Sequence, residues 1–200
     1  MATTAMINTA KLSVDDVFCS KRGSKLAKLV DDGHECIYMP DAFLRTPFAP
    51  NTFDKDPTAT RLNLQLSIDD PAVEEQIRAF DAWAVQHLAE HSERLFKKPT
   101  SREQVEAGYS SCLRPSSKEG FSPLLKVKLD TQGRHAVCYW DANGDTAEPP
   151  EEWRELSVKP RLHLSHLWIM GAQFGFVLRI TDAKVSGADN HVSTRNNPFK

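Results

Sequence analysis

Apolar and polar residues alternate strictly at 61–68, where the chain reads RLNLQLSI. A period of two places successive side chains on opposite faces of a strand, so this pattern predicts a β-strand with one buried face. The same alternation recurs at 125–129, where Lys126 and Lys128 separate three apolar residues. This second strand is expected to present two ammonium groups on the face opposite its apolar side chains.

The residues after the first of these strands have the spacing of an α-helix. Apolar residues recur three and four positions apart and form one stripe: Val73, Ile77, Phe80, Ala84 and Leu88. Asp70 suits the N-cap, Pro71 suits the first helical position, and Pro99 stops the helix. The pattern therefore predicts a long amphipathic helix at 71–96, and the polar segment after it allows a short helix at 102–107.

Four further segments have strand patterns and are separated by turn residues. They lie at 36–39, 136–140, 161–169 and 174–185. Strands and helices do not alternate along the chain, which favours an α+β fold, mainly β, with one antiparallel sheet and a helix on one side. A sheet of five or six strands hides its edges best by closing, so we expect a small antiparallel barrel.

The chain is expected to hold one folded domain between two less ordered ends. A length of 200 residues fits a single domain. Residues 1–33 have few aromatics and many lysines, which predicts a flexible basic arm with a short helix near 24–30. The domain is placed at 34–187, and 188–200 is predicted to be an unpacked C-terminal tail.

The distribution of charge along the chain, and not the net charge, bears on whether the partner is a polyanion. The formal net charge is only −2, so the total gives no argument for a polyanionic partner. Basic residues nevertheless cluster near the N-terminus, at 97–134 and at 159–184, apart from acidic stretches at 69–93 and 141–155. A near-neutral chain with charges separated in this way can present one positive face.

Sequence features of secretion, membrane insertion and several enzyme classes are missing. No apolar run approaches the roughly 18 residues of a membrane span, and no signal-peptide pattern is present. We therefore expect an intracellular protein with no membrane partner. The four cysteines form no CxxC pair, and no Walker loop, dinucleotide-binding glycine motif or GxSxG elbow occurs. We expect neither catalysis nor a cofactor.

One pattern within the predicted helix is shared with zinc peptidases, the HLAEH at 87–91. His87 and His91 lie one helical turn apart, and Glu90 could act as a general base. The match is short, no third ligand can be identified, and His91 also extends the apolar stripe. A small zinc hydrolase built on these residues is thus a third hypothesis, and no metal site is assigned.

Binding a flexible single strand requires cations for the phosphates and flat rings for the bases. Separate strands offer both, in Lys126, Lys128, Tyr139, Trp140, Arg161, His163 and Trp168. Aromatic residues usually belong to the core, an alternative that we favour for Phe174 and Phe176 and leave open for Trp140 and Trp168. For the two lysines the alternative is a solvated surface.

Taken in order, these segments resemble the podophage-type single-stranded-DNA-binding proteins and their relatives in large DNA viruses. The matching pieces are RLNLQLSIDDP at 61–71 with the helix after it, LKVKL at 125–129, WDANG at 140–144, LHLSHLW at 162–168 and the segment 171–185. Together they cover about 34–185.

The resemblance implies an OB-fold barrel with one long helix inserted between early strands and a basic, aromatic-containing groove for single strands. Lys126 and Lys128 match the family's basic strand, and Trp168 matches its aromatic on the penultimate strand. His166 stands where a tyrosine is expected. We expect loop residues to extend the groove, namely Arg45, Tyr109, Arg114 and Lys118.

The resulting hypothesis is a non-catalytic single-stranded-DNA-binding protein of a viral or phage replication and recombination system, located in the host cytoplasm or nucleus if viral. RNA is not excluded as a ligand, because stacking and phosphate contacts serve both nucleic acids. Replication proteins and a second copy of the chain are further candidate partners. The family's phage proteins use an acidic C-terminal tail for such contacts, whereas this C-terminus, with Arg195 and Lys200, is not acidic.

A second hypothesis comes from another class of protein. The patchy charge also suits a non-catalytic structural or protein-interaction module, in which the sheet and the acidic face of the helix hold a partner. Binding of single strands at moderate salt separates this hypothesis from the first.

Overall fold

The computed structural model describes residues 6–20, 23–52, 58–116, 119–186, 190–191 and 198–199. The helices in these ranges are α1 (Pro71–Glu90), α2 (Ser92–Phe96) and α3 (Arg102–Gly108), with a 3-10 turn at Thr9–Lys11. The strands are β1 (Leu12–Val14), β2 (Phe18–Cys19), β3 (Lys25–Asp31), β4 (His34–Tyr38), β5 (Leu44–Thr46), β6 (Arg61–Ser67), β7 (Tyr109–Ser110), β8 (Leu113–Arg114), β9 (Leu124–Asp130), β10 (Cys138–Trp140), β11 (Thr146–Ala147), β12 (Leu156–Met170), β13 (Gln173–Val185) and β14 (Asn190–His191). The mainly β composition predicted from the sequence is confirmed.

Five strands pair in a closed ring at the centre of the fold. From β12 the order is β5, β6, β9 and β13, and β13 then pairs with β12 again. The β12–β13 hairpin is the longest pairing, running from Val158 opposite Val185 to Met170 opposite Gln173 with two register shifts. Each strand of the ring thus has a partner on both sides, which protects its backbone polar groups.

The sheet is mixed, so the prediction of one antiparallel sheet is wrong. β13 runs parallel to β7, β9 and β10, although it is antiparallel to β12. Alternation of apolar and polar residues has the same period in both kinds of pairing. The sequence pattern therefore locates the strands but does not reveal their relative direction.

Helix α1 packs its apolar stripe against the closed ring of five strands. Its N-terminus is fixed by Asp70, whose side chain accepts a hydrogen bond of 2.8 Å from the Ala72 N–H. Phe80 is fully buried and meets the ring of Phe176 edge-on, with centroids 5.3 Å apart. The helix predicted at 71–96 is confirmed, apart from a break at His91 that separates α1 from α2. No described helix is long and apolar enough to cross a membrane.

The N-terminal region is not the flexible arm that its composition predicts. Within the described residues, β3 pairs with β1, β2, β4 and β12, and its Ala27 and Leu29 are buried. The helix expected near 24–30 is therefore a strand, in which the exposed Lys28 alternates with the buried Ala27 and Leu29. β1, β2 and β3 belong to the same sheet as the rest of the fold.

The predicted C-terminal tail at 188–200 falls mostly outside the described residues. Its Asn190–His191 segment, β14, pairs antiparallel with β11. The unpacked character of the remainder stays a prediction.

Candidate nucleic-acid interface

One row of side chains crosses five strands on the face of the sheet that points away from the core. Ile37, His163, Arg179, Lys128 and Asn63 are register partners from β4 through β12, β13 and β9 to β6. Residues paired across adjacent strands point to the same face. The register thus brings basic groups from β9 and β13 together, although the two strands lie far apart in the sequence.

An open trough of about 320 Å³ lies beside this row. Arg114, Lys126 and Lys128 supply its cations, and Trp168 and Met170 lie along it as well. These residues define what we call the basic trough. None of the described residues that line it is acidic. Four of the residues predicted for the interface thus converge on one surface.

The two lysines of β9 lie in a positive electrostatic environment. Partial desolvation at the sheet surface is the main cause that lowers the pKa of Lys126, and the nearby Arg114 lowers it further. For Lys128 burial is again the main cause, followed by Lys126 and Arg61. The pKa values are lowered partly because the neighbouring cations repel one another. A bound phosphate would offset this repulsion and stabilise the charged form of each cation. Lys128 is also fixed in place, since its Nζ donates to Asn63 Oδ1 at 2.5 Å.

The two histidines of β12 on this face add little charge near neutral pH. Burial, together with Arg179 and Arg61, lowers the pKa of His166 to about 4. The pKa of His163 is also lowered, mainly by burial and against the opposing effect of Glu35. His166 is therefore a neutral imidazole at pH 7, and the positive charge of this face comes from lysine and arginine.

Trp168 lies beside the most tightly packed glycine of this surface. It pairs with Gly175 across the hairpin. A Cβ added to Gly175 would approach the Ser110 carbonyl oxygen to 2.7 Å and the Trp168 ring to 3.3 Å. The absence of a side chain at Gly175 is therefore what lets β7 and Trp168 pack there.

Gly175→Ala is expected to force β7 or the Trp168 ring out of position. Overpacking of this kind lowers the free energy of unfolding by about 1–3 kcal/mol. Urea unfolding would measure the loss, and the emission maximum of Trp168 in a variant whose other tryptophans are phenylalanine would report the displaced ring. Unchanged stability and emission would contradict the tight packing.

Two predicted stacking residues belong to the core. Tyr139 and Trp140 are only 6% and 2% exposed. The Tyr139 ring packs edge-on against Trp153, with centroids 6.0 Å apart, and Trp140 Nε1 donates to Asp182 Oδ1 at 3.3 Å. The prediction that these rings stack on bases is wrong, because both rings are packed inside the fold.

Two predicted arginines are already engaged by carboxylates. Arg45 Nη1 donates to Glu155 Oε2 at 2.8 Å. Arg161 Nη1 donates to the Thr181 hydroxyl at 2.8 Å and lies 3.5 Å from Asp182 Oδ2. Their charges are thus largely compensated within the protein, and their role in binding stays a prediction.

Tyr109, another residue predicted to extend the groove, is not among those that line the basic trough. The Tyr109 hydroxyl donates to Asp81 Oδ1 at 2.7 Å, and burial raises its pKa well above the usual value, with Cys112 and Asp81 adding to the effect. Tyr109 therefore ties β7 to α1. Lys118 lies outside the described residues.

Three charged residues near the trough were not predicted from the sequence. Arg61 Nε lies 2.6 Å from Asp130 Oδ1, and Arg179 Nη2 donates to Asp130 Oδ2. Burial alone would raise the pKa of Asp130, but the two arginines lower it. Each residue comes from a different strand, and only the register of β6, β9 and β13 brings them together. No local sequence signal could have found this cluster.

The described residues supply no third ligand for the zinc site hypothesised on His87, Glu90 and His91. Among the residues that the structure describes, no group of three or more His, Cys, Asp or Glu side chains could hold a metal ion. The His87 ring stacks on Trp83 at 4.8 Å and lies 4.4 Å from the His91 ring, measured between centroids. Burial, followed by His91 and Arg94, lowers the pKa of His87 to about 4.

Comparison with known proteins finds similarity only at the level of structure. No family model and no curated protein matches the sequence. One similar solved structure is gp2.5, a single-stranded DNA binding protein encoded by bacteriophage T7, with a TM-score of 0.50, 12% identity, and coverage of 82% of this chain and 92% of that chain. This likeness shows a shared fold, so the resemblance drawn from the sequence is confirmed at that level.

A second similar structure is the single-stranded DNA-binding protein from bacteriophage Enc34. Its complex with single-stranded DNA has a TM-score of 0.46 and 9% identity, covering 90% of this chain and 94% of that chain. Without DNA the TM-score is 0.45 at 9% identity, with coverage of 94% and 98%.

Proposed function

We propose that the protein binds single-stranded DNA with little sequence preference, as a non-catalytic component of a phage or viral replication and recombination system. The observation that carries this proposal is the convergence of Arg114, Lys126 and Lys128 with Trp168 on the basic trough. Cations neutralise the phosphates and release counterions, while a ring offers a surface for bases of any sequence. The fold shared with gp2.5 supports the assignment.

Within this proposal the ring of β5, β6, β9, β12 and β13 is an OB-fold barrel, and α1 is its inserted helix. Helix α1 follows β6 and precedes β9 in the chain, and its Phe80 packs against Phe176, which itself lines the trough. None of the described residues of α1 lines the trough. An inserted helix of this kind stabilises the barrel without occupying the trough.

An unpaired strand fits the basic trough better than a duplex does. Stacking on Trp168 requires a base that has left its own stack, which costs less in a flexible single strand than in a duplex. A duplex would have to unstack or unpair first. We therefore expect single-stranded oligonucleotides to bind more tightly than duplexes of the same length at the same salt concentration.

Tryptophan fluorescence tests the proposal directly. Adding a thymidine oligonucleotide should quench emission, because Trp168 lies in the trough while Trp140 is buried. The quenching should disappear in Trp168→Phe with only a small loss of affinity. Trp168→Ala should weaken binding by about 1–3 kcal/mol, which is the contribution of one stacked base.

Trp153→Phe provides the matched control for this titration. Trp153 packs edge-on against Tyr139 and is not among the residues that line the trough, so its replacement should leave the DNA-dependent quenching intact. Quenching that is lost in Trp153→Phe but kept in Trp168→Phe would place the ligand away from the trough. Such a result, or no binding at low salt, would overturn the proposal.

A further inference from the structure

A second pocket, of about 470 Å³, lies on the opposite face of the β12–β13 hairpin near its tip. Ile169 lines this pocket, whereas the preceding Trp168 lines the basic trough, because successive side chains of a strand point to opposite faces. At the tip, Met170 borders the trough and Gly171 borders the second pocket. The two pockets are thus neighbours separated only by the end of the hairpin.

The second pocket combines a basic rim with an apolar floor. Lys25, Lys97 and Lys98 supply the ammonium groups, and Phe96 and Phe174 contribute to the floor. None of the described residues that line it is acidic. Ammonium groups around an apolar surface fit a ligand that carries both phosphates and flat rings.

The backbone of Lys97 is a second observation at this pocket. Lys97 ends α2 in the left-handed conformation, with φ +60° and ψ +24°. Glycine adopts this conformation without a steric penalty, whereas a residue with a Cβ does not. A lysine there costs backbone free energy while adding a cation to the pocket rim.

We propose that a single strand bound in the basic trough continues over the hairpin tip into the second pocket, where Lys25, Lys97 and Lys98 contact its phosphates. This inference rests on the function proposed above and extends the site to the opposite face of the hairpin. Met170, which is 70% exposed at the tip, gives the passing bases an apolar contact. The bound strand therefore wraps around the hairpin instead of leaving the protein at Trp168.

Oligonucleotide length separates the two pockets in a binding experiment. The test compares Lys97→Glu/Lys98→Glu with the wild-type protein, using thymidine oligonucleotides of about 4 and about 20 nucleotides, which span the site sizes of one OB fold. For the longer strand we expect at least a tenfold loss of affinity and a salt slope smaller by about 1.4. For the shorter strand, which fills the trough alone, affinity should change less than twofold.

Two matched variants separate a specific contact from other causes. Lys11→Glu/Lys184→Glu makes the same change in net charge at residues that line neither pocket and should affect neither oligonucleotide. Lys97→Gly removes the steric cost of the left-handed conformation and also removes the cation. Its free energy of unfolding should therefore be no lower than that of the wild type, but its affinity for the longer strand should fall. Full affinity of Lys97→Gly and Lys97→Glu/Lys98→Glu for the longer strand would overturn the inference.

Other outcomes distinguish this inference from the function on which it rests. An equal loss for both lengths would mean that the second pocket is no separate segment of the path, and would overturn the inference alone. Tight binding of an acidic peptide there, with no effect of the variants on DNA, would also overturn it alone. A wild-type protein that binds neither oligonucleotide would overturn both proposals.

Discussion

Lys126→Glu/Lys128→Glu is expected to bind single-stranded DNA about a hundredfold less tightly than the wild-type protein at low salt, a loss of about 2.7 kcal/mol. Both lysines line the basic trough. The substitution removes two phosphate contacts and places two carboxylates where the strand lies. The slope of log affinity against log salt concentration should fall by about 1.4, since each phosphate contact on a single strand contributes about 0.7.

The fold should tolerate this change, so that the loss reports on binding. Lys126 is exposed, and Lys128 makes one hydrogen bond, to Asn63. Far-UV circular dichroism and urea unfolding would verify that both variants fold. Lys11→Glu/Lys184→Glu, with the same net charge, should keep most of the affinity. Equal losses in the two variants would mean that total charge and not the trough determines binding.

Asp130→Asn is expected to change stability and DNA affinity in opposite directions. The Asp130 and Arg179 side chains are only 9% and 12% exposed, so removing the carboxylate charge leaves the Arg179 guanidinium buried and uncompensated. Breaking a pair of this kind lowers the free energy of unfolding by about 2–4 kcal/mol. Urea unfolding at pH 7 measures this loss.

The wild-type protein should lose the same contribution in acid. Because Arg61 and Arg179 lower the pKa of Asp130, the ionised carboxylate is favoured in the folded state. Its contribution is complete above the unfolded pKa of about 4 and disappears as the pH falls through the lower folded value. The stability difference between wild type and Asp130→Asn should therefore shrink below about pH 4.

Affinity for single strands should rise in Asp130→Asn, provided that it is measured where the variant is folded. The substitution removes a negative charge beside the row that contains Lys128 and Arg179 and releases Arg61. Asp16→Asn is the matched control, since its carboxylate is 89% exposed and pairs with Arg94 elsewhere. Weaker binding by folded Asp130→Asn would contradict the assigned role of this row.

The elements that could be predicted are those whose own sequence carries a strong period. β6, β9 and α1 have clear alternation or helical spacing, and all three form where expected. β3 was missed because only two of its residues, Ala27 and Leu29, are buried. Their alternation is too short to predict a strand, and the lysine-rich composition led to the prediction of a flexible arm. Short strands such as β7 and β8 are defined by their partners, so two residues of sequence could not reveal them.

The residues of the candidate site likewise differ in whether the local sequence pattern could predict them. Lys126 and Lys128 could be predicted because alternation alone places them on the outer face of their strand. Trp140 and Trp168 looked equivalent, since each lies beside a turn, yet neighbours remote in sequence bury the first and leave the second half-exposed. Which ring is available for stacking is therefore a property of tertiary packing, and no local pattern contains it.

The two strands that hold the sheet together, β12 and β13, follow most of their partners in the chain. β12 pairs with β3, β4 and β5, and β13 pairs with β7, β9 and β10. A nascent chain that ends before residue 173 thus carries β7, β9 and β10 without their partner β13, and contacts between distant segments form late in folding. On the function proposed above, DNA-binding activity should consequently appear only after β13 has been synthesised, and products that end before it should be substrates for proteolysis instead of partially active competitors.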